Sequence, residues 1–211
     1  MKRIVLSGYY GFQNAGDEAV LAGLIMALRA ARPENELEIT ALSIDPARTK
    51  LEHGINALHR YRTGQVLRAI GRADLVLSGG GSLLQDSTSA HSIFYYLAII
   101  RLAQMMGKKT MFIAQGIGPL IRKRSRKLTA SVANRCSAIT VRDNASCELL
   151  REIGVKRPIT VTADPALLLE PEQLGPPPDE RCALSLRPWK NEEQALADRL
   201  AEAYAIALPH V

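Results

Sequence analysis

Short apolar runs alternate along the chain with longer segments in which apolar residues recur every three or four positions. A strand buried on both faces gives the first pattern and an amphipathic helix gives the second, so the alternation predicts an α/β domain built on a parallel sheet. The predicted strands are Ile4–Ser7, Leu37–Ser43, Leu75–Ser78, Thr110–Ala114, Ala138–Val141 and Ile159–Thr162. Six parallel strands are enough for one doubly wound, Rossmann-like sheet.

Five helices are predicted in the segments between those strands. They are Asp17–Ala31, Gly64–Arg72, His91–Met106, Lys123–Arg135 and Asn144–Ile153. Right-handed crossovers then place helices on both faces of the sheet. The most apolar helix, His91–Met106, carries Arg101 and falls short of the about 20 apolar residues that span a bilayer, so we expect it in the core.

A proline-rich stretch predicts a domain boundary. Four of the ten residues 171–180 are proline, which neither a helix nor a central strand tolerates, so this stretch is expected to be a stiff linker. A further strand, Cys182–Leu186, and a helix, Asn191–Leu208, are predicted after it. The expected organisation is a Rossmann-like domain over 1–170, a linker over 171–180, and the first β-α unit of an incomplete second domain over 181–211.

Charge and cysteine usage narrow the classes of function. Between Asp86 and Asp143 there are ten basic residues and no acid, which indicates either a solvated helix face or a surface for anionic partners. The three cysteines and four histidines lack the spacing of disulfides or metal ligands, so no metal and no cofactor are expected. The chain begins without the apolar stretch of a secretion signal, and we expect a cytoplasmic location.

The loop after the first predicted strand, residues 8–18, is rich in glycine and ends in two acids. It lacks the GxGxxG pattern, and Asp17 and Glu18 would oppose a phosphate at the start of the following helix. Asp17 is either the N-cap of that helix or a carboxylate that accepts a hydrogen bond or a proton from a sugar hydroxyl. In the second interpretation Asn14, which carries a donor and an acceptor, helps to orient the sugar.

Three glycines follow the third predicted strand, in the sequence SGGGSLLQD of residues 78–86. Gly79, Gly80 and Gly81 either form a tight turn between strand and helix or let the backbone approach a ligand closely. Gln85 follows two leucines and is expected to line the cleft that the glycines open.

Charged residues follow the later strands at the same expected edge of the sheet, where ligands bind in open α/β folds. Arg142 is a planar cation suited to a carboxylate or phosphate, and the alternative is a local ion pair with Asp143. Asp164 precedes a proline, which favours an extended backbone at the cleft. Arg187, after the strand predicted beyond the linker, repeats this layout.

These loops, in this order, resemble the polysaccharide pyruvyl transferases, in particular the CsaB-type enzymes of bacterial cell-wall polymers. The resemblance extends over nearly the whole chain, and each motif alone is weak. The motifs are N-x-G-D-E at 14–18, SGGGSLLQD at 78–86, QGIGP at 115–119, VRD at 141–143, DPA at 164–166 and SLRPW at 185–189.

The resemblance implies a GT-B-like fold of two Rossmann-like halves, of which this chain holds the first half and the start of the second. It implies transfer of the pyruvyl group of phosphoenolpyruvate onto a sugar of a cell-wall polymer precursor, forming a pyruvate ketal. The acceptor would be a lipid-linked amino sugar such as N-acetylmannosamine, pyruvylated in the cytoplasm near the inner face of the membrane.

The resemblance also suggests roles by position. Asp17 is expected to contact the attacking hydroxyl, and Arg142 an anionic group of the donor. The residues expected to bind substrate are Asn14, Gly79, Gly80, Gly81, Gln85, Asp164 and Arg187.

Two other classes of function stay open at this point. Glycine loops and Arg187 also suit the diphosphate of a nucleotide sugar, as in a GT-B-type glycosyltransferase. The other class is a non-catalytic module that binds an anionic membrane or polymer through a basic stretch. In an enzyme this stretch would serve as a peripheral membrane contact. That stretch consists of Arg122, Lys123, Arg124, Arg126 and Lys127. Nucleic acid is not expected, because no aromatic residues are interleaved with these cations.

Overall fold

Seven strands form the centre of the computed structural model: β1 (Lys2–Tyr10), β2 (Leu37–Ser43), β3 (Asn56–His59), β4 (Leu75–Gly79), β5 (Lys109–Gln115), β6 (Ala138–Val141) and β7 (Thr160–Val161). They make one all-parallel sheet in the order β3-β2-β1-β4-β5-β6-β7. The helices are α1 (Ala15–Ala31), α2 (Pro46–His53), α3 (Thr63–Arg72), α4 (Ala90–Met105), α5 (Lys123–Ala133) and α6 (Asn144–Glu152). The predicted fold class, a doubly wound, Rossmann-like α/β sheet, is confirmed.

The structure describes residues 1–87, 90–170, 198–200 and 202. Contacts between Cα atoms divide the chain into two units, Met1–Glu170 and Pro171–Val211. The predicted linker and the predicted strand Cys182–Leu186 lie outside the described residues, and so does most of the predicted helix Asn191–Leu208.

The sheet is covered on both faces. On one face Val5 of β1 belongs to a core cluster that includes α3, α4 and α5. On the other face Ile4 and Leu6, its neighbours in sequence, pack with α1. Such alternation follows from the strand geometry, in which successive side chains point to opposite faces. The apolar helix α4 is buried in the first cluster, and no helix of the described residues is long and apolar enough to cross a membrane.

The sequence prediction missed α2 and β3. Neither carries an apolar pattern, since Thr49 is the one buried residue of α2 and β3 is a half-buried edge strand. The helix is instead marked by its ends: Asp45 accepts a hydrogen bond from Arg48 N, Pro46 opens the first turn, and Gly54 closes the helix in a left-handed conformation. Cap chemistry rather than periodicity identifies this element.

The crevice for a ligand is set by β1 and β4, which lie side by side with Ser7 opposite Ser78. The chain leaves β1 toward β2 on one side and leaves β4 toward β5 on the other. The two loops therefore diverge at the carboxyl ends of these strands, which is where ligands bind in open α/β sheets.

Close packing accounts for two of the three glycines after β4. A Cβ on Gly79 would lie 2.4 Å from Ile113 Cγ2, and one on Gly80 would lie 1.7 Å from Val20 Cγ1 of α1. Gly80 also has a φ of +76°, which disfavours any other residue. These two positions let α1 and β5 approach the end of β4 closely.

We predict that Gly80→Ala is far more destabilising than Gly107→Ala. Gly107 has a similar left-handed φ of +69°, but a Cβ there meets nothing within 4 Å, so this control isolates backbone strain. Gly107→Ala should lower the free energy of unfolding by about 1 kcal/mol. Gly80→Ala should cost about 1–3 kcal/mol more, because Val20 must move. Urea denaturation measures both, and equal losses would contradict the packing argument.

Candidate functional site

A cavity of about 300 Å³ opens at the carboxyl edge beside β1 and β4. Its lining comes from four separate parts of the first unit: the start of α1, the loop after β4, the end of β6 and the segment after β7. The lining residues are Asn14, Gly16, Asp17, Val20, Gly81, Ser82, Arg142, Asp164 and Ala166. Five of the nine site residues expected from the sequence are thus brought together. A second cavity of about 400 Å³ shares Ser82 and Arg142 with it.

Asn14, not Asp17, is the N-cap of α1. Its side-chain oxygen accepts a hydrogen bond from Gly16 N at 3.1 Å, so the helix begins at Ala15 and the N-cap interpretation of Asp17 is wrong. Asp17 lies in the first turn, with its Oδ1 only 2.8 Å from where a Cβ on Gly81 would stand. Gly81 therefore leaves the space that this carboxylate occupies at the cavity.

The neighbouring acid, Glu18, has a different task. It accepts hydrogen bonds from Gly11 N at 2.8 Å and, through its other oxygen, faces His53 Nε2 at 3.0 Å. Glu18, His53 and Glu52 bring ligand atoms within 4.8 Å of one another, but Glu52 is already paired with Arg48 at 2.6 Å. Glu18 thus fixes the β1–α1 loop, while Asp17 faces the cavity.

Arg142 joins the two sides of the cavity. Its Nη2 donates to Ser82 Oγ at 2.7 Å and its Nη1 to Asp164 Oδ2 at 3.1 Å. The ion pair with Asp143 also exists, at 3.5 Å, but Asp164 makes the closer contact. Gly116 makes room for this arrangement, because a Cβ there would lie 2.9 Å from Arg142 Nε.

Asp164 reaches the cavity because the chain after β7 packs closely on α1. Its second oxygen accepts a hydrogen bond from Ala166 N at 3.0 Å and caps a short 3₁₀ turn, Pro165–Leu168. A Cβ on Gly23 of α1 would lie 1.9 Å from Pro165 O, so only glycine permits this approach. Sequence reasoning missed Gly23, although an isolated glycine inside an apolar helix pattern is a signal of close packing.

The site carries more negative than positive charge. Among the described residues, Asp17 and Asp164 line the cavity together with Arg142, and Asp164 and Asp143 lie 3.1 and 3.5 Å from its guanidinium. Burial alone would raise the pKa of Asp143, but the hydrogen bonds from Ser146 and the charge of Arg142 outweigh it and lower the pKa. This carboxyl is therefore ionised at neutral pH. Such surroundings suit hydroxyl groups, which donate to carboxylates, better than a further anion.

Of the remaining expected residues, Gly79, Gly80 and Gln85 are described and do not line this cavity. Gln85 accepts a hydrogen bond from Ser87 Oγ at 3.1 Å and lines neither of the two cavities around Arg142. Arg187 lies outside the described residues. Of the basic stretch, Arg122, Lys123, Arg124 and Lys127 are exposed on α5, whereas Arg126 is half-buried and pairs with Glu152.

A model of the family described as polysaccharide pyruvyl transferase matches residues 14–208. The chain belongs to the polysaccharide pyruvyl transferase family. The family is one of transferases, and its name specifies a sugar or polysaccharide acceptor.

Among solved structures, the chain is similar to the MnaA–UDP co-structure of S. aureus, whose fold is GT-B-like. Identity is 15% over 78% of this chain, with a TM-score of 0.51, so the likeness concerns the fold alone. The match spans 44% of that chain. No curated protein sequence matches the chain significantly.

We predict that Asp86→Asn destabilises the first unit in a pH-dependent way. The carboxylate accepts hydrogen bonds from Ile121 N at 2.7 Å and Arg122 N at 3.0 Å, and an amide offers one oxygen. Loss of an acceptor should lower the free energy of unfolding at pH 7 by about 1–3 kcal/mol. Asp74→Asn, at an exposed carboxylate that accepts a hydrogen bond from Arg3 N, is the control and should lower the free energy of unfolding clearly less than Asp86→Asn.

The pH dependence of Asp86→Asn follows from the pKa of the wild-type carboxyl. Burial would raise the pKa of Asp86, but the two amide hydrogen bonds and the charge of Arg122 outweigh burial and lower it. A carboxyl whose pKa is lower in the folded than in the unfolded state stabilises the fold at pH values above its unfolded pKa, about 4 for Asp. That stabilisation is lost as the pH falls through the folded-state pKa. The difference in the free energy of unfolding between wild type and Asp86→Asn should therefore become smaller below about pH 4. Urea denaturation at pH 7 and below pH 4 measures this difference, and an equal difference at the two pH values would refute this account.

Proposed function

We propose that this chain supplies the acceptor side of the active site in a ketal-forming pyruvyl transferase whose donor is phosphoenolpyruvate. The observation that carries the proposal is the cavity at which Asn14, Asp17, Gly81, Arg142 and Asp164 meet. Family membership supports the transfer class, and the negative charge of the cavity supports a polyol in it.

The proposed reaction joins C2 of phosphoenolpyruvate to two oxygens of one sugar. The first hydroxyl oxygen bonds to C2 while C3 takes up a proton. The second hydroxyl oxygen then bonds to C2 as the bond from C2 to the phosphate oxygen breaks. Two hydroxyl protons are released in total: one balances the proton gained by C3 and the other leaves with inorganic phosphate. A general base beside the sugar is therefore required.

Asp17 is our candidate for that base. Its carboxylate stands at the cavity next to Gly81, on the first turn of α1, where the backbone is fixed by the Asn14 cap and by Glu18. An ionised carboxylate only accepts hydrogen bonds, so it selects hydroxyl donors. A rigid support of this kind keeps the oxygen within reach of one hydroxyl.

Arg142 is our candidate for contact with an anionic group of the donor. Its three side-chain nitrogens contact Ser82, Asp143 and Asp164, and a guanidinium has five N–H groups, more than these contacts use. Two carboxylates already offset its charge, so the donor phosphate requires further cations. Arg187, which is expected from the sequence to bind substrate, lies outside the described residues and stays a prediction.

We predict that Asp17→Asn abolishes most pyruvyl transfer. An amide cannot accept the hydroxyl proton, and loss of a general base typically lowers kcat by about 10²–10⁴-fold. The assay is release of inorganic phosphate from phosphoenolpyruvate in the presence of an amino-sugar acceptor, using the protein as its gene encodes it. Asp74→Asn is the matched control, because that exposed carboxylate lies at the amino edge of the sheet, and its kcat should equal that of wild type.

Two results would refute the proposal, one from this assay and one from a thermal-shift measurement. One is an Asp17→Asn protein that turns over within about threefold of wild type, a change too small for a lost general base. The other is a thermal shift of the wild-type protein with uridine diphosphate but none with phosphoenolpyruvate, which would favour the glycosyltransferase class.

We also propose that the start of α5 contacts an anionic surface, placing the reaction at the inner face of the membrane. Ile121 is 70% exposed and directly precedes three exposed cations, Arg122, Lys123 and Arg124. Basic residues in the first turn of a helix are unfavourable for the helix dipole. Cations around an exposed apolar side chain are typical of segments that meet anionic lipid.

We predict that Lys123→Glu with Lys127→Glu lowers the affinity for vesicles containing phosphatidylglycerol, measured by sedimentation, by at least about thirtyfold, since each of the two cations contributes about 1 kcal/mol near the surface. An acid at position 123 suits the first turn of α5, and Lys127 is exposed in the second turn, so stability should be retained. Lys109→Glu with Lys156→Glu changes the net charge equally at other exposed positions and should leave binding unchanged. Equal loss in both double variants would show that net charge alone is responsible.

A further inference from the structure

Several cations line a cavity at the amino edge of the sheet, at the opposite ends of the strands from Arg142. Its volume is about 500 Å³, and β1, β2, β3, α2 and α3 all contribute to its lining. Arg3, Glu38 and Asn56 are each the first or second residue of their strand, so we call it the amino-edge cavity. Its polar and charged lining residues are Arg3, Glu38, Thr40, Lys50, Asn56, Gln65, Arg68 and Arg72.

The cavity is open because the face of β2 that meets α3 changes from apolar to polar along the strand. Leu42, near the carboxyl end of β2, is buried in one core cluster with Val66 and Ile70 of α3. Thr40 and Glu38 precede it at alternate positions and therefore lie on the same face of the sheet, but they are only half-buried. The helix thus covers the carboxyl end of this face and leaves space over the amino end.

The cations come from two helices. Gln65, Arg68 and Arg72 of α3 are three and four residues apart, which places them on one side of the helix, toward the cavity. The helix dipole favours a cation in the last turn and accounts for Arg72. It does not account for Arg68, one turn earlier, or for Lys50, which reaches the same cavity from α2.

Three of the four cations that line the cavity lack a counter-ion. The fourth, Arg3, donates from Nε to Glu38 Oε2 at 3.0 Å. Within the ranges that the structure describes, no carboxylate lies within ion-pair distance of Lys50, Arg68 or Arg72. Other arginines in this half of the sheet are paired with glutamates. Those pairs are Arg29–Glu34 at 2.6 Å, Arg32–Glu36 at 3.1 Å and Arg48–Glu52 at 2.6 Å.

The floor of the amino-edge cavity is apolar. Val5 of β1 is buried, and Leu58 of β3 and Ala69 of α3 pack against the same core cluster. The volume falls within the about 300–1,000 Å³ of cavities that hold small molecules. A concave site with an apolar floor and a cationic rim suits a small molecule that carries both an apolar part and an anionic group.

We propose that the amino-edge cavity binds a small organic phosphate with two or more negative charges. Guanidinium groups bind phosphate oxygens through paired N–H donors, and the three uncompensated cations match such a charge. The amides of Asn56 and Gln65 add neutral donors at the same cavity. The proposal is independent of the proposed function, because it uses none of the residues assigned to pyruvyl transfer.

The test measures binding by calorimetry at about 0.15 M salt, at which distant charges are screened. The probes are two organic phosphates, adenosine 5′-diphosphate and fructose 1,6-bisphosphate, together with inorganic pyrophosphate. The wild-type protein should bind at least one organic phosphate more tightly than pyrophosphate, since pyrophosphate has no apolar part for the floor. Arg68→Gln with Arg72→Gln should weaken that binding at least about tenfold, because each guanidinium donates charge-assisted hydrogen bonds. Lys50→Gln, on the other helix, should weaken it as well.

Arg135→Gln with Arg151→Gln is the matched control. It removes the same net charge at exposed arginines outside the cavity, and Arg151, like Arg72, lies in the last turn of its helix. Binding by this double variant should equal that of wild type. All of these substitutions replace exposed side chains, so the fold should be retained.

Four results would overturn the proposal. Two concern the wild-type protein: absence of binding by both organic phosphates, and binding no tighter than that of pyrophosphate. Binding that persists in Arg68→Gln with Arg72→Gln would locate the ligand elsewhere on the protein. An equal effect of the two double variants would mean that the protein attracts anions only through its overall charge.

Discussion

The guanidinium of Arg142 is the contact on which the cavity depends. It bonds Ser82, from the loop after β4, to Asp164, from the segment after β7, and these parts of the chain are 82 residues apart. Charge-assisted bonds of a planar guanidinium are directional, so they fix both partners at once. The bonds form only because Gly116 leaves room for the side chain and Gly23 lets the Asp164 segment approach α1. The site therefore requires glycine at these two positions.

Much of the fold was predictable because it depends on buried apolar runs. The core strands β1, β2, β4, β5 and β6 were all expected from such runs, and α4 was expected in the core. Elements without an apolar pattern were missed, as α2 and β3 show. Within the site, the sheet edge could be predicted because carboxyl ends of parallel strands must meet there. The N-cap of α1 and the Asp164–Arg142 pair could not, since both depend on side-chain geometry and on contacts distant in sequence.

Neighbouring residues of similar chemistry differ in role: one stabilises the fold around the cavity and the other lines the cavity. Asp17 and Glu18 are neighbouring acids on one helical turn, yet Glu18 is engaged with Gly11 N and His53 while Asp17 faces Gly81 at the cavity. The difference follows from the helix, in which consecutive side chains point about 100° apart. The three glycines after β4 separate in the same way: two are needed by Ile113 and Val20, and the third by the carboxylate of Asp17.

The charge of the cavity favours a hydroxyl ligand over a phosphate. In the part of the chain that the structure describes, the cavity is lined by two carboxylates, Asp17 and Asp164, and one guanidinium, and Asp143 also pairs with that guanidinium, so a dianionic phosphate entering the cavity would meet repulsion at short range. A hydroxyl group meets acceptors there instead. In the reaction proposed above, the donor phosphate therefore needs cations other than Arg142, and the carboxylates are left to the sugar hydroxyls.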